Sequence, residues 1–582
     1  MIPKNSTPPR PAPAAERTKG TKRAFYVGLG VLALLLASLP YLVGWLRTPP
    51  GLVYSGLVYN VDDSAVYLSW MDQARRGHFF LRNQFSTEAQ KGVLFNLFFL
   101  LLGNVVRFTG LAPAVVYQAA RVIGGALLLW AVTGLLRATL ADTRARRIAF
   151  ALTCFGSGLG WLWSGGTPER GPIDLWQPEA ITFLSLYFSP LFTAALALMV
   201  VFVTAVLHSE RTARLRHVWP AALAGALLGN FHSYDVIPLF ATWGAYRVVD
   251  DARRRRLDVS GWTRLIVAGL ASLPTTAYQY YALRVEPVFF YRAFASKTLT
   301  SKPWWVLLGF GVLALLACGL IVHVTVRRGK NTVRGLFVDE TALRLMATWA
   351  VAGVLVAYVP VAFQRKLLMG VHVPLCVLAG AALAHLTARL PGNLPRIAAL
   401  GAILLTLPTN LWFVTRDLGR LTENVGSTDH RPYLTRAEND ALLWLRANTE
   451  PSDAVLVAPD PTAHLRFPYR PLLPHLSVYV PAIAGNVVYN GHWGETPDFV
   501  RKLGEMLAFF KANASDEKRV ALLQSNDVRY VLQLNALSRE DLKDADGTVV
   551  YACAPWPARA PAPPYLTPVY ANAEVTIYRF TP

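Results

Sequence analysis

The segment from Gly56 to Trp70 reads GLVYNVDDSAVYLSW and follows the first long apolar run of the chain. Two adjacent carboxylates, Asp62 and Asp63, stand there among aromatic and aliphatic residues. One interpretation is helix capping, because an aspartate at a helix start satisfies free backbone amides and favours the helix dipole. A cap needs only one aspartate, so a chemical role for this acid pair is the alternative.

The composition around the acid pair is that of an integral membrane protein. Of the 582 residues, 53% are hydrophobic and only 16% are charged, which is far more apolar than a soluble globular average. The formal net charge is +21, which in a soluble protein would suggest a nucleic-acid partner. Here the basic residues cluster in short loops between apolar runs, so membrane topology explains the excess and no nucleic-acid partner is expected. The four cysteines imply no metal site and no disulfide framework.

Apolar runs long enough to cross a bilayer recur along the chain. A spanning helix needs about 20 apolar residues. The sequence predicts eleven spans, at about 24–46, 113–139, 147–165, 181–207, 217–231, 234–248, 262–281, 304–326, 342–362, 367–388 and 397–416. The run at 93–109 is short and carries Asn96, Asn104 and Arg107, so it predicts an interfacial or re-entrant helix.

Charge predicts the orientation of these spans. With a cytoplasmic N-terminus, arginine-rich loops such as 137–147 and 247–258 face inward, as the positive-inside rule requires. Counting 93–109 as a span would turn every later arginine-rich loop outward. The sequence therefore predicts a multi-pass cell-membrane protein whose first outer loop, 48–112, is long.

Both ends of the chain differ from the membrane portion at 24–416. Residues 1–23 are rich in proline and basic residues and predict a disordered cytoplasmic tail. Residues 417–582 contain no spanning run. Within them, 435–449 has helical periodicity, and 454–459, 528–534 and 574–580 read as strands. The C-terminal portion is thus predicted to be a soluble α/β domain outside the cytoplasm.

The order of features after the first span resembles a known family. The acid pair is followed by a short helix with Tyr67 and Met71, then Arg76-Gly77-His78-Phe79, a polar stretch to Lys91 and an interfacial apolar helix. This order resembles the first outer loop of the GT-C superfamily of membrane glycosyltransferases, especially the protein O-mannosyltransferase and aminoarabinose-transferase branch. The second acid is aspartate where glutamate is common in that branch.

The resemblance implies a chemistry for the acid pair. Such enzymes move a sugar from a polyprenyl-phosphate carrier to an acceptor on the outer face of the membrane. The first acid of the family pair takes the acceptor's proton, a role that maps to Asp62. Asp63 would then orient the acceptor or a metal ion. No ligand cluster has diagnostic metal spacing, so a divalent ion is an open alternative and no metal ligand is assigned.

The leaving phosphate needs cations, and two loops supply candidates. Arg365 and Lys366 stand at the outer junction of two predicted spans, where they either bind phosphate or merely extend to the interface. Arg292 and Lys297 stand in an aromatic outer loop that would close over a lipid carrier.

Three further segments carry polar candidates for substrate binding. Glu179 stands at the start of a span, where helix-start chemistry is the alternative. His232 and Asp235 either line a polar cavity or cap the next helix. His492 and Trp493 stand in the segment YNGHWGETPDF at 489–499, which suits sugar binding. A glycine turn before a helix start explains the same letters.

Two other function classes remain open from the sequence. A transporter or lipid flippase would usually show paired internal repeats, and none is apparent. A non-catalytic component of cell-envelope polysaccharide assembly would keep the fold without the chemistry. The sequence does not identify the sugar, the acceptor or the oligomeric state.

Overall fold

The structure is a computed structural model. It describes residues 14–163, 166, 170–295, 297–326, 335–425, 430–459, 474–511, 514–535, 542–543, 549–551 and 562–582. Most of the tail predicted at 1–23 lies outside these ranges. Residues 14–23 of that tail are described and are helical, because the first helix already begins at Ala14. The alanines, glutamate, arginines and lysines there are good helix formers and extend the apolar helix that follows.

The described chain is mainly a bundle of α-helices. In chain order they are α1 (Ala14–Leu46), α2 (Val61–Arg75), α3 (Leu97–Thr109), α4 (Pro113–Thr139), α5 (Thr143–Phe155), α6 (Thr182–Phe188), α7 (Pro190–Thr212), α8 (Trp219–Phe231), α9 (Val236–Arg254), α10 (Val259–Val285), α11 (Pro287–Ala295), α12 (Pro303–Val326), α13 (Glu340–Val356), α14 (His372–Leu386), α15 (Leu394–Thr406), α16 (Pro408–Glu423), α17 (Arg436–Asn448), α18 (Phe499–Phe509) and α19 (Asp516–Ser525).

Every apolar run predicted to span overlaps one or two of these helices. Five helical segments are long and apolar enough to cross a membrane: Arg23–Leu46, Pro113–Thr139, Pro190–Thr212, Pro303–Val326 and Gln364–Leu386. A sixth crossing is available if α15 and α16, which meet at a 44° bend, form one span. The chain is therefore a helical protein with five or six candidate spans in its described part, and the count of eleven stays a prediction.

Two predicted spans are interrupted in ways that local chemistry explains. The run 147–165 stops being helical at Phe155, because three closely spaced glycines follow and Gly158 packs directly on the backbone of Gly309. The run 181–207 is split into α6 and α7 at Pro190, which cannot donate to the preceding turn. Ser189 caps the new helix by accepting a hydrogen bond from the Leu191 amide at 3.2 Å.

Helix α3 corresponds to the predicted interfacial segment. It has 13 residues and is capped by Asn96, whose side chain accepts from the Phe98 and Phe99 amides. At about 1.5 Å per residue it is too short to cross a bilayer. It packs on α2 through Gly103, where a methyl group would lie 2.4 Å from Ala74 Cβ.

The C-terminal unit (residues 430–582) contains a mixed five-stranded sheet. The strands of the described chain are β1 (Leu52–Tyr54), β2 (Tyr433–Thr435), β3 (Ala454–Val457), β4 (Val487–Val488), β5 (Val528–Leu534), β6 (Leu542–Lys543), β7 (Val549–Tyr551), β8 (Leu566–Ala571) and β9 (Val575–Phe580). The sheet order is β4-β3-β5-β9-β8, with the first three strands parallel and the others antiparallel. The three predicted strands and the predicted helix are all present. The boundary predicted at 416–417 falls inside α16, which continues to Glu423 because its last turns still bury one face.

The first loop (residues 48–112) and the C-terminal unit pack together at one end of the bundle. Strand β1 pairs with β2 in antiparallel register, with Tyr54 opposite Tyr433. The Val488 amide donates to the Gln84 carbonyl at 2.8 Å, and the Gln84 side chain donates to the Gly485 carbonyl at 2.6 Å. We call this end of the bundle the site end, and the opposite one, where α1 begins, the basic end.

Candidate active site

The acid pair lies in the first turn of α2, at the site end. The residue before the helix, Asn60, has left-handed backbone dihedrals (φ 51°) and makes no side-chain capping bond. Its side-chain amide instead donates to Asp63 Oδ2 at 2.5 Å. Neither aspartate therefore occupies the capping position, although the first turn of a helix is electrostatically favourable for both carboxylates.

The two carboxylates differ in exposure. The Asp62 side chain is 3% exposed, whereas the Asp63 side chain is 39% exposed. Neighbouring residues on a helix point about 100° apart, so one carboxylate faces the packed interior while the other faces open space. Asp63 is therefore the more accessible of the two carboxylates.

His492 of the C-terminal unit lies against the acid pair. Its Nε2 is 3.2 Å from Asp63 Oδ1 and 3.9 Å from Asp62 Oδ2. Its Nδ1 accepts hydrogen bonds from the amides of Gly494 and Glu495, at 3.0 and 3.1 Å. In the neutral ring these amides fix Nδ1 as the acceptor and leave Nε2–H to donate to Asp63.

Opposing effects act on the charge of His492. Burial disfavours the imidazolium form, whereas the hydrogen bond to Asp63 and the nearby carboxylates favour it. The carboxylates prevail and raise the pKa of His492 above its ordinary value.

The segment that carries His492 is fastened to the first loop. Thr496 Oγ1 donates to the Phe85 carbonyl at 2.7 Å, and Asn83 Nδ2 donates to the Glu495 carbonyl at 2.8 Å. Trp493 stacks on His492 with ring centroids 5.9 Å apart and is 51% exposed. The segment is a turn before α18, as the alternative interpretation predicts, and it also presents an exposed indole beside the acid pair.

A second polar group forms between α8 and α9. His232 Nδ1 lies 2.7 Å from Asp235 Oδ2, and the Tyr234 hydroxyl bonds His232 Nε2. Asp235 immediately precedes α9, but its side chain makes no capping bond. Lys366 Nζ lies 5.2 Å above the Tyr234 ring, so three predicted candidates come together with a tyrosine that was not singled out.

Arg365 is held beside this group. Its guanidinium lies 5.0 Å over the Trp176 ring, its amide donates to the Thr298 carbonyl at 3.0 Å, and its own carbonyl accepts from Gln177 Nε2 at 2.6 Å. The Arg365 Nε is buried and, among the described residues, has no hydrogen-bond partner.

The remaining candidates are placed less centrally. Glu179 is buried in a 3-10 turn, Pro178–Ala180, that precedes α6 and contacts the turn with Arg365. Lys297 is exposed and adjoins Thr298. Arg292 belongs to α11, and its side chain lies outside the described part of the chain.

The described residues do not fit a metal site of three or more ligands. No group of three histidine, cysteine, aspartate or glutamate side chains in them is arranged to hold a metal ion.

Comparison with known proteins reveals the fold. No protein-family model and no curated protein matches the sequence. Among solved structures, the chain is similar to the apo oligosaccharyltransferase of Archaeoglobus fulgidus, with a TM-score of 0.51 and 13% identity over 92% of this chain and 75% of that chain. It is also similar to ArnT from Cupriavidus metallidurans bound to undecaprenyl phosphate, with a TM-score of 0.50 and 14% identity over 97% of this chain and 98% of that one.

The archaeal enzyme matches again, with a TM-score of 0.50 and 13% identity, in a complex with an inhibitory peptide and a dolichol-phosphate. These neighbours are GT-C glycosyltransferases. The chain therefore has the GT-C fold, which confirms the resemblance in its first loop.

Proposed function

We propose that this GT-C-fold chain is an integral-membrane glycosyltransferase that moves a sugar from a polyprenyl-phosphate donor to an acceptor hydroxyl. The observation that carries the proposal is the half-exposed Asp63 carboxylate in the first loop, held by groups from two parts of the chain. The fold supports it, since two neighbours were solved with polyprenyl-type phosphates, dolichol-phosphate and undecaprenyl phosphate.

In this mechanism Asp63 is the catalytic base. The acceptor O–H gives its proton to the carboxylate while its oxygen forms a bond to the anomeric carbon of the donor sugar. The bond between that carbon and the phosphate oxygen breaks, and the phosphate leaves with the electron pair. The products are a glycosylated acceptor and the free polyprenyl phosphate.

This proposal reverses the roles that the resemblance implies for the acid pair. Asp62 maps to the family base, but its side chain is nearly enclosed, whereas Asp63 is open to an incoming acceptor. Asp62 then acts as a second carboxylate that orients the first turn and His492. His492 is a positioning residue, because it contacts the base and reaches the substrate only through it.

The donor phosphate is proposed to bind at Arg365 and Lys366. Both cations lie over aromatic rings at the edge of a candidate span. The ring faces hold the cations by cation–π attraction, and the planar fork of the Arg365 guanidinium suits phosphate oxygens. The Arg365 Nε is buried and, among the described residues, has no hydrogen-bond partner, so the guanidinium keeps an unsatisfied donor close to the proposed phosphate position.

The site end is proposed to face outward, with residues 417–582 outside the cytoplasm. Support comes from charge, because the arginine-rich loops 137–147 and 247–258 lie at the basic end. A reporter active only in the cytoplasm, fused after Pro582, should give no signal. A strong signal would reverse the orientation and move the transfer to the inner face.

A transfer assay tests the proposed activity. Purified protein is incubated with a panel of polyprenyl-phosphate sugars and candidate acceptors, and the release of free polyprenyl phosphate is measured. This product forms whatever the acceptor is. We expect release from at least one donor that is abolished in Asp63→Asn, and equal release from wild type and variant would refute the proposal.

A further inference from the structure

A membrane-facing groove lies at the basic end of the bundle, far from the acid pair. It runs between α1, α4 and α7 and has a volume of about 860 Å³. Apolar side chains form most of its wall, among them Val27, Val31, Leu129 and Val201. This surface suits a hydrocarbon chain and not a polar metabolite.

The mouth of the groove is basic. Arg23 begins the apolar part of α1, Arg137 ends α4, and His208 stands in the last turns of α7. All three are exposed, and among the side chains that the structure describes no acidic one lines the groove. Among the described residues, neither arginine forms an ion pair. Their charges are therefore not used to hold the bundle together.

Other arginines at the basic end form ion pairs that hold neighbouring helices together. Arg247 is 1% exposed and meets Glu210 at 2.8 Å and Asp251 at 2.7 Å. Arg247 is neutralised by carboxylates of the protein, whereas within the described part of the chain Arg23 and Arg137 at the mouth of the groove are not. The positive charge at the mouth therefore favours binding of an anion from outside the protein.

The length of the groove limits what fits. The lining segment of α1 from Arg23 to Leu34 is about 16 Å long at 1.5 Å per residue. Half of a bilayer's hydrocarbon core is about 15 Å. The groove therefore reaches from one membrane surface to the bilayer centre, which is the length of one acyl chain, and it is short for an extended polyprenyl chain.

We propose that this groove binds one anionic phospholipid from the leaflet at the basic end. The lipid phosphate lies between Arg23 and Arg137, and an acyl chain lies along the apolar wall. Basic pockets between membrane helices at the positively charged side recognise anionic head groups in this way. The site is separate from the acid pair and does not depend on the proposed transfer.

Native mass spectrometry of the purified full chain tests the head-group contact. Phosphatidylglycerol and phosphatidylcholine of identical acyl chains are titrated in turn. We expect tighter binding of phosphatidylglycerol, weakened roughly fivefold for each arginine removed in Arg23→Gln and Arg137→Gln. Arg256→Gln is the matched control, because Arg256 is exposed at the same end but does not line the groove.

A second pair of variants tests the acyl-chain contact without changing charge. A methyl group added at Gly134, which lines the groove, or at Gly28, which does not, meets no atom within 4 Å. Gly134→Leu should fill the groove and weaken phosphatidylglycerol binding, while Gly28→Leu should leave it unchanged.

Equal binding of both phospholipids, equal losses in Arg256→Gln and Arg137→Gln, or unchanged binding in Gly134→Leu would each overturn the proposal. Displacement of phosphatidylglycerol by an equimolar polyprenyl phosphate would also overturn it, since the groove would then belong to a carrier lipid.

Discussion

The two ends of helix α2 carry carboxylates in opposite situations. Near the C-terminal end of α2, Asp72 is 2% exposed and bonds three guanidinium groups. These belong to Arg75, Arg76 and Arg446, at 2.9, 2.8 and 2.7 Å. At its start, Asp63 is 39% exposed and contacts an imidazole and a side-chain amide.

The difference in exposure and partners distinguishes a carboxylate with a structural role, Asp72, from one proposed to act in catalysis, Asp63. Burial alone would raise the pKa of Asp72, but the three arginines outweigh it and hold that pKa below the ordinary range. Such a group stays charged and joins the first loop to the C-terminal unit through Arg446. A carboxylate that must take a proton from a substrate needs access instead, which Asp63 has.

The largest predicted change in stability comes from breaking the Asp72 cluster. Asp72→Asn should destabilise the protein by about 2–3 kcal/mol at pH 7, less than a fully buried pair because the guanidinium groups remain partly exposed. Since the pKa of Asp72 is lowered on folding, its contribution is present above about pH 4 and is lost as the pH falls through the lowered value. The thermal midpoint of wild type and variant should therefore converge on acidification.

Asp440→Asn is the control for this prediction, because Asp440 is an exposed carboxylate on α17. Its thermal midpoint should match that of wild type. Equal shifts in both variants, or a difference that does not shrink as the pH is lowered, would show that the Asp72 cluster does not hold the two regions together.

The next effect concerns donor binding at the proposed phosphate site. Arg365→Ala should weaken donor affinity roughly ten- to a hundredfold, because a charge-assisted hydrogen bond contributes about 1.5–3 kcal/mol. Arg284→Ala is the control, since Arg284 also lies over an aromatic ring, at 5.4 Å from Tyr280, but is exposed and outside the site. If both variants keep wild-type affinity in a donor titration, Arg365 is only an interfacial anchor.

The smallest effect is expected at His492. His492→Gln should lower kcat about three- to tenfold, because the glutamine amide can still donate to Asp63 but lacks the fixed ring geometry, while the KM for the donor stays unchanged. His78→Gln changes an exposed histidine of the first loop and should alter neither constant. A higher donor KM with unchanged kcat would make His492 a binding residue and not one that positions the base.

Much of the fold was predictable because its signals are local. The apolar runs, the polar residues within the short run that forms α3, and the β-branched residues of β3, β5 and β9 are written in short stretches of sequence. The splits at Phe155 and Pro190 also had a local signal, in the glycines and the proline. Each run is nevertheless apolar along its whole length, and this uniform apolarity predicted one continuous span.

The site was predictable only in part, for a physical reason. The sequence identified both the acid pair and His492 as candidates. Asp63 and His492 are 429 positions apart in the chain, and no sequence periodicity predicts a contact between such distant residues. Nor does it report which of two adjacent aspartates faces open space, since that depends on how α2 packs on α3 and the C-terminal unit. Tyr234 and Trp176 were missed because aromatic residues are common in such segments and only packing shows which of them lies beneath a cation.

The most direct test of the claim that exposure decides the role of each carboxylate is a comparison of Asp63→Asn and Asp62→Asn in the purified transfer assay. Both substitutions keep side-chain shape and remove the ability to take a proton. We predict that Asp63→Asn lowers turnover by roughly a hundredfold or more, with an unchanged thermal midpoint and donor affinity, and that Asp62→Asn lowers it less. Wild-type turnover in Asp63→Asn would contradict the account, and if Asp62→Asn alone were inactive, the base would be the enclosed carboxylate.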